Sequence, residues 1–283
     1  MTTGRRALLL ATGLASPALA ASPLPGAFRE AEALGGGRLG VAALDTGSRR
    51  RAVHRAEERF PFASTFKMVL ASAVLAAVAQ GRASLDRAIP VSAADMVPHA
   101  PVTERAVGGT MTVEALCEAT MVWSDNPAAN LLLPMAGGPA GLTAFARNLG
   151  DPAFRLDRIE TALNQATPGD PRDTTTPAAM LGTMQRLLLD DALPPEGRDR
   201  LTGWMVACRT GDAKIRAGLP TGWRCGDRTG GGGHGTNNCV AILWPPGRAP
   251  VLVAAYLTET ALPLAQRDAA LASVGRAVAE AWV

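Results

Sequence analysis

Two residues near the start of an apolar segment could carry out nucleophilic chemistry. Ser64 and Lys67 lie three positions apart in FPFASTFKMVLASAVLAAV, which spans 60 to 78. Side chains at this spacing share one face of a helix, so the hydroxyl and the amine could approach each other. A desolvated lysine can become neutral and remove the serine proton, which turns the hydroxyl into a nucleophile. The simpler alternative is that Ser64 or Thr65 caps the helix and Lys67 points into solvent.

The distribution of basic residues favours the chemical interpretation of Lys67. Lysine occurs only at positions 67 and 214, and the remaining 26 of the 28 lysine and arginine residues are arginine. Arginine stays charged in proteins, whereas a buried lysine can give up its proton. A lysine that is kept in a chain so rich in arginine therefore points to a role that arginine cannot fill.

The stretch WSDNPAANLL contains a second group of candidate residues. Ser124 and Asn126 could point from a turn between helices into a cleft, where Ser124 relays a proton and Asn126 holds an amide. The alternative is purely structural, because an N-cap at Asn126 followed by Pro127 is a typical helix start.

A third group lies in DRTGGGGHGT, at the end of a predicted strand. Its glycines would let a substrate lie against the strand edge, where backbone N–H groups can bind an oxyanion. Arg228 and Thr229 could then hold a carboxylate. The alternative is a glycine-rich hairpin turn without a ligand.

The elements that must position these groups are strands at both ends of the chain and helices between them. A helix over 27–34 precedes a β-hairpin in RLGVAALDTGSRRRAVHR, and strand patterns return in GWRCGDRTG, NCVAILW and VLVAAYLTE before a closing helix over 261–282. This order predicts a mixed α/β (α+β) fold, in which both termini build one antiparallel sheet. We expect an α/β domain of 21–60 and 206–283, a helical domain of 61–205, and the active site in the cleft between them.

Composition argues against several other classes of function. The 283 residues are 47% hydrophobic, and the net charge of +3 is spread along the chain, which leaves no basic patch for a nucleic acid. The three histidines are too dispersed for a metal site, and the four cysteines form no C-x-x-C pair. We expect no metal and mostly buried, apolar cysteines, although an exported chain could form disulfides and four cysteines allow three full pairings.

The first 20 residues predict an export signal. The stretch MTTGRRALLLATGLASPALAAS has Arg5 and Arg6, an apolar part too short to span a bilayer, and small residues suited to cleavage after Ala20. The arginine pair is typical of twin-arginine signals, and an ordinary secretory signal is the alternative. No later segment is long and apolar enough for an anchor, so we expect a periplasmic or secreted protein.

Together the three groups resemble a known family. S-T-F-K, S-D-N and Arg-Thr-Gly, in this order and at these separations, are similar to the motifs of the penicillin-recognising serine enzymes, specifically the class A β-lactamases. The segment 158–177, RIETALNQATPGDPRDTTTP, resembles the Ω loop of that class. The resemblance covers nearly the whole chain after the signal, and it implies a five-stranded antiparallel sheet flanked by the terminal helices.

The resemblance implies a two-step hydrolysis of penicillin-type antibiotics, without a metal or cofactor. Ser64 would attack the lactam carbonyl, and its proton would pass either to Lys67 or, through a water, to Glu160. Glu160 and Asn164 would then direct a water onto the acyl-enzyme. Ser124 would protonate the leaving nitrogen.

The remaining implied roles concern binding and loop structure. Backbone N–H groups of Ser64 and Gly231 would hold the oxyanion, and Arg158 would pair with Asp173 to close the neck of the loop. The other implied binding residues are Asn126 for the substrate side chain, and Arg228, Thr229 and Gly230 for the strand-edge site.

Several positions depart from the usual pattern of the family. Arg228 replaces the usual lysine, as in the carbenicillin-hydrolysing branch, which implies penicillins, including carboxypenicillins, as leading substrates. Lys214 stands where many members have an arginine that helps to bind the substrate carboxylate, and a solvated surface charge is the alternative. His99 takes the place of an aromatic residue that walls the cleft. Cys117 has no partner at Ala71, so the disulfide of some relatives should be absent.

Two other functions share part of these motifs. A D-alanyl-D-alanine peptidase, or penicillin-binding protein, normally lacks Glu160 in such a loop, and a non-hydrolytic β-lactam sensor would stay acylated. Both predict a long-lived adduct on Ser64, whereas a β-lactamase turns over. We expect a monomer that binds a small-molecule β-lactam, and neither a nucleic acid nor a membrane.

Overall fold

The computed structural model describes residues 24–282, which contain nine β-strands and eight α-helices. The strands are β1 (Arg38–Asp45), β2 (Arg51–His54), β3 (Phe60–Pro61), β4 (Ala88–Pro90), β5 (Thr110–Thr112), β6 (Thr174–Thr175), β7 (Arg224–Gly231), β8 (Asn237–Trp244) and β9 (Val251–Thr258). The helices are α1 (Leu24–Gly35), α2 (Phe66–Ala79), α3 (Val113–Val122), α4 (Asn126–Leu132), α5 (Gly138–Asn148), α6 (Pro177–Leu188), α7 (Pro195–Val206) and α8 (Leu264–Ala281).

Five of these strands form one antiparallel sheet in the order β2-β1-β9-β8-β7. Strands from both ends of the described chain therefore meet in one sheet, as predicted. β1 pairs with β9 from Arg38↔Thr258 to Asp45↔Val251, and β7 pairs with β8 along its full length. β7 is an edge strand, so one of its sides has no neighbouring strand in this sheet.

Helices cover both faces of this sheet, which explains why β8 and β9 are apolar along nearly their whole length. One face packs against α1 and α8 in a core that includes Leu39, Val253 and Leu271. The opposite face packs against α2 and its neighbours in a larger core that includes Phe62 and Tyr256. Burial of each such side chain contributes about 1.5–3 kcal/mol relative to its exposure to water.

Helix α2 is surrounded by protein on all sides. Its residues are buried from Phe66 to Ala77, and Lys67 and Ser72 are the polar ones among them. A helix that is apolar all round belongs in a protein interior. Because contacts on every side fix α2, the residues at its start are held in place as well.

The starts of α2 and α4 do not follow the capping alternatives considered for them. Neither Ser64 nor Thr65 caps α2, because the Thr65 hydroxyl donates to a main-chain carbonyl three residues earlier, at 2.8 Å, and the Ser64 hydroxyl donates to Glu160. The N-cap of α4 is Asp125 rather than Asn126, since the Asp125 carboxylate accepts from a backbone N–H in the first turn, at 2.9 Å. This cap leaves the Asn126 side chain available for the cleft.

The prediction that the cysteines are mostly buried is confirmed within the described residues. Cys117, Cys208, Cys225 and Cys239 are all buried and free, and Cys117 has no partner at Ala71. Burial raises the pKa of the Cys117 thiol to about 12, which keeps it protonated and unreactive.

The predicted export signal, residues 1–20, lies outside the described residues. Between 24 and 282, the helices are all too short or too polar to cross a membrane.

Candidate active site

Ser64 lies in a tight turn between β3 and α2. The turn is a 3-10 helix, Ala63–Thr65, in which Ala63 has a left-handed φ of +44°. It places Ser64 at the N-terminal end of α2, where backbone N–H groups and the helix dipole favour negative charge. Ser64 is only 7% exposed, and its Oγ donates a hydrogen bond to Glu160 Oε1 at 3.2 Å.

The Glu160 carboxylate joins three of the predicted residues. Oε1 accepts from Ser64 and lies 3.1 Å from Lys67 Nζ, and Oε2 accepts from Asn164 Nδ2 at 2.5 Å. The side chains of Lys67 and Glu160 are completely buried. Ser64 and Lys67 therefore meet at one carboxylate oxygen, instead of through the direct hydrogen bond that their spacing suggested.

Asn130, which no sequence motif predicted, fixes the main chain at Glu160. Its Nδ2 donates to the Glu160 carbonyl at 2.9 Å, and its Oδ1 accepts from the Glu160 N–H at 3.0 Å. Asn130 lies on α4 one turn after Asn126, so both side chains project from one side of the helix. Its only sequence signal is an amide within the apolar run PAANLLL. The Glu160–Thr161 peptide bond is cis.

Lys67 is held by the second predicted motif. Its Nζ donates to the Ser124 carbonyl at 2.7 Å and to Asn126 Oδ1 at 2.5 Å, and it lies 3.4 Å from Ser124 Oγ. Ser124 has a left-handed φ of +62°, which is uncommon for a residue other than glycine. Burial lowers the pKa of Lys67 to about 8, although the neighbouring Glu160 carboxylate acts in the opposite direction.

The Arg228 guanidinium is fully buried and lies behind the cleft wall. Its Nη2 donates to Ser124 Oγ at 2.5 Å, and its Nη1 lies 3.4 Å from Thr210 Oγ1. Thr210 and Thr229, which line the cleft, share a hydrogen bond of 2.6 Å between their hydroxyls. Burial lowers the pKa of Arg228 from its usual value. In this structure Arg228 contacts Ser124 and the threonines rather than the open cleft.

Lys214 belongs to a buried polar cluster at the edge of the cleft. Its Nζ donates to Asn237 Oδ1 at 2.5 Å and pairs with the Asp268 carboxylate, which also accepts from Asn237 Nδ2 at 2.9 Å. Lys214 is 7% exposed, so the alternative of a solvated surface charge is wrong.

His99 and the pair of Arg158 and Asp173 are also predicted residues. His99 has φ +69°, and its Nε2 lies 2.9 Å from the Trp123 carbonyl, which can only accept a hydrogen bond. Arg158 Nε donates to Asp173 Oδ2 at 2.5 Å, and Asp173 Oδ1 accepts from the Arg158 N–H at 3.0 Å. The segment between Arg158 and Asp173 is therefore closed by a side-chain and a main-chain contact.

Gly231 offers a backbone donor at the free edge of the sheet. The N–H of Gly232, just after β7, points towards the chain that leads into β8, because it donates to the Thr236 carbonyl at 3.2 Å. Successive N–H groups of a strand point in opposite directions. The N–H of Gly231 is therefore directed away from β8, towards the cleft.

A cleft of about 420 Å³ opens above these groups. Three residues that the sequence did not predict also line it, namely Thr210, Asn237 and Leu264. Each lies outside the predicted motifs, and only the fold brings it to the cleft. Nine predicted residues also line the cleft, namely Ser64, His99, Ser124, Asn126, Asn164, Lys214, Thr229, Gly230 and Gly231.

This arrangement has the parts that acyl transfer requires. It offers a hydroxyl nucleophile, a carboxylate in contact with the hydroxyl proton, a lysine whose pKa is lowered to about 8 and backbone donors for an oxyanion. Within residues 24–282, His, Cys, Asp and Glu side chains form no group of three or more that could hold a metal ion.

Comparison with known proteins gives consistent matches. Residues 26–282 match the model of the β-lactamase enzyme family. Beta-lactamase L2 of Stenotrophomonas maltophilia is 51% identical over 241 residues, which cover 85% of this chain and 80% of that protein. Beta-lactamase AST-1 of Nocardia asteroides is 48% identical over 254 residues, which cover 90% of this chain and 82% of that protein.

Solved structures agree with the sequence matches. An ancestral class A β-lactamase has a TM-score of 0.90 and 57% identity, with coverage of 92% of this chain and 100% of that chain. A β-lactamase from Xanthomonas campestris pv. campestris has a TM-score of 0.89 and 54% identity, with coverage of 91% and 97%. The chain therefore belongs to the β-lactamase enzyme family and is a class A serine β-lactamase, a β-lactam hydrolase of antibiotic resistance.

Proposed function

We propose that this enzyme hydrolyses penicillin-type β-lactams through an acyl-enzyme on Ser64, with Glu160 as the base in both steps. The observation that carries the proposal is the 3.2 Å hydrogen bond from Ser64 Oγ to Glu160 Oε1. A general base must lie within hydrogen-bond reach of the proton that it removes. Burial lowers the pKa of Lys67 to about 8, so at neutral pH most molecules carry a charged Lys67, which has no free lone pair to accept the proton.

In acylation, the Ser64 oxygen bonds to the lactam carbonyl carbon while its proton passes to Glu160. The N–H groups of Ser64 and Gly231 stabilise the resulting oxyanion. Its collapse breaks the carbon–nitrogen bond, and the nitrogen takes the hydroxyl proton of Ser124. Lys67 replaces that proton across 3.4 Å, and Glu160 returns its own proton to Lys67 across 3.1 Å. This cycle leaves Glu160 ionised for the second step.

In deacylation, Glu160 and Asn164 together direct a water onto the acyl carbon. Asn164 Oδ1 is buried and has no hydrogen-bond partner among the described residues. It can therefore accept one hydrogen of the water while Glu160 removes the other. The water oxygen bonds to the acyl carbon, and the bond to Ser64 Oγ breaks as Ser64 regains its proton from Glu160.

The proposed binding site separates the two ends of the substrate. Asn126 uses one Nδ2 hydrogen for the Pro98 carbonyl at 2.8 Å, which leaves the other for the substrate side chain. Thr229 and Lys214, both on the cleft wall, would bind the substrate carboxylate, and the buried Arg228 would add positive charge behind them. Arginine in this place, as in the carbenicillin-hydrolysing branch, supports penicillins and carboxypenicillins as substrates.

We propose three further properties that follow the family resemblance. Residues 1–20 would form a twin-arginine export signal, which would make the protein periplasmic or secreted. Residues 21–60 with 206–283 would form one domain and 61–205 the other, a division supported by the sheet that joins both ends of the chain. The mature protein would be a monomer, which its mass by light scattering would test.

A turnover experiment tests the proposed function. Purified mature protein is mixed with a chromogenic β-lactam at a large excess, and product is followed beyond one equivalent of enzyme. We expect continued turnover, no adduct on a Ser64→Ala variant, and no cleavage of a D-alanyl-D-alanine peptide. Product release that stops at one equivalent would instead indicate a sensor or a penicillin-binding protein.

A further inference from the structure

Four residues lie side by side across the sheet and face the segment that carries Ser64. Gly40, Tyr256, Asn238 and Gly230 are successive cross-strand neighbours on β1, β9, β8 and β7. Directly paired residues project from the same face of a sheet. We call these four residues the cross-strand row, and segment 60–65 packs on it.

The two glycines of the row allow this segment to lie very close to the sheet. A Cβ at Gly40 would lie 2.4 Å from the Phe60 ring. A Cβ at Gly230 would lie 2.7 Å from the Phe62 carbonyl oxygen and 3.2 Å from the backbone nitrogen of Ser64. Glycine at these positions therefore marks a close backbone approach.

Asn238 is the member of the row that binds the segment by strong polar contacts. It is 1% exposed, and its Nδ2 donates to the Pro61 carbonyl at 2.9 Å and to the Phe62 carbonyl at 3.1 Å. Its Oδ1 is buried without a hydrogen-bond partner among the described residues. A buried oxygen without a hydrogen-bond partner lowers the free energy of unfolding. The Asn238 amide therefore carries a stability cost, and its donor contacts to the Ser64 segment offer a reason for its presence.

We propose that Asn238 is a positioning residue of the oxyanion hole. Its amide ties the Phe62 carbonyl, two residues before Ser64, to β8. Gly231 lies opposite Asn237 in the register of β7 and β8, so the other proposed donor stands beside the same part of β8. Asn238 therefore sets the separation of the Ser64 and Gly231 N–H groups. The inference rests on the proposed function, because that function assigns these two donors.

Two variants and a matched control test this role. Asn238→Asp replaces the amide donor with an oxygen of nearly the same shape, which repels both carbonyls. Asn238→Ala removes the donor without adding charge, and it tests the same role if Asn238→Asp does not fold. Val240→Ala is the control, since Val240 is buried on the same face of β8, in the core on that side of the sheet.

The measurements separate positioning from stability. Each protein is assayed for kcat and KM with a chromogenic β-lactam, for its melting temperature, and for inhibition by benzeneboronic acid. The boronate forms a tetrahedral adduct with Ser64 that places an oxygen between the two proposed donors. Its affinity therefore reports the geometry of the oxyanion hole without requiring turnover.

We expect both Asn238 variants to lose about 10- to 100-fold in kcat and a similar factor in boronate affinity, with little change in KM. Val240→Ala should lower the melting temperature and leave kcat and boronate affinity unchanged. Asn238 variants that lose only melting temperature would overturn the inference. A wild-type protein that binds the boronate but does not turn over β-lactams would instead contradict the proposed function.

Discussion

At the scale of single residues, Glu160→Gln should separate the two chemical steps. The amide keeps a similar shape but cannot activate the deacylating water, so we expect deacylation to fall by about 10²- to 10⁴-fold. Acylation should persist at a lower rate. The Glu160 charge raises the pKa of Lys67, so its removal favours neutral Lys67, which can then take the Ser64 proton. Intact mass spectrometry should show an acyl adduct that accumulates to one equivalent, and turnover near the wild-type rate would contradict the assignment.

The pKa of Lys67 predicts the alkaline limb of the activity profile. Burial lowers this pKa from 10.5 to about 8, so the charged form predominates below pH 8 and is lost above it. The proposed mechanism needs the charged form, because Lys67 passes a proton to Ser124. We therefore expect kcat/KM to fall about tenfold for each pH unit well above that pKa. A profile measured from pH 6 to 10 that stays flat to pH 10 would show that Lys67 does not act as this donor.

At the scale of secondary-structure elements, α4 holds the Ω loop through Asn130. Its two hydrogen bonds to the Glu160 main chain place the carboxylate to which the proposed mechanism assigns deacylation. We expect Asn130→Ala to slow deacylation by about 10- to 100-fold, because small displacements of a catalytic group are costly. Acylation should fall less, since Lys67 lies on α2, does not depend on Asn130 for its position, and can take the Ser64 proton when Glu160 is displaced.

Rapid-mixing kinetics with a chromogenic β-lactam resolve the two rates for Asn130→Ala. A matched control is Leu131→Ala, which truncates the neighbouring, partly buried residue on the same helix. The control should lose stability without accumulation of acyl-enzyme. Rates of both steps that stay unchanged in Asn130→Ala would show that these hydrogen bonds do not place Glu160.

The elements also explain how far the sequence predicts this site. Ser64, Ser124 and Glu160 stand in contiguous motifs, so their types and spacing are enough to indicate the chemistry. Asn130 and Asn238 are isolated amides, and their roles arise from contacts between elements that are distant in sequence. Local propensity offered a helix cap as the alternative role of Ser64, yet the Ser64 hydroxyl donates to Glu160, 96 positions away in sequence. Tertiary contacts therefore override local signals at the residues that carry the function.

At the scale of the whole molecule, the sheet separates the active site from a second core. The turn that carries Ser64 packs with α2 on one face, whereas α1 and α8 pack on the other. Glu32 on α1 links that helix to the sheet. Its carboxylate accepts from the Leu39 N–H at 3.1 Å and from Arg55 at 2.7 Å, and it lies 2.9 Å from His54 Nε2. Changes in this cluster should therefore affect stability and leave catalysis intact.

This separation predicts a pH-dependent effect of Glu32→Gln on stability alone. Burial raises the pKa of Glu32, but the hydrogen bonds from Leu39 and Arg55 outweigh it, so the folded-state pKa lies below 4.5. A lowered pKa means that the carboxylate stabilises the fold above the unfolded pKa, and that this contribution disappears as pH falls through the folded value.

At pH 7 we expect Glu32→Gln to cost about 1 kcal/mol, or about 2–4 °C in melting temperature. The difference from wild type should shrink towards pH 3, and kcat should not change. Glu30→Gln, at an exposed position on the same helix, is the control and should match wild type at every pH. A constant difference between Glu32→Gln and wild type across this range would show that the charge of Glu32 does not hold α1 to the sheet.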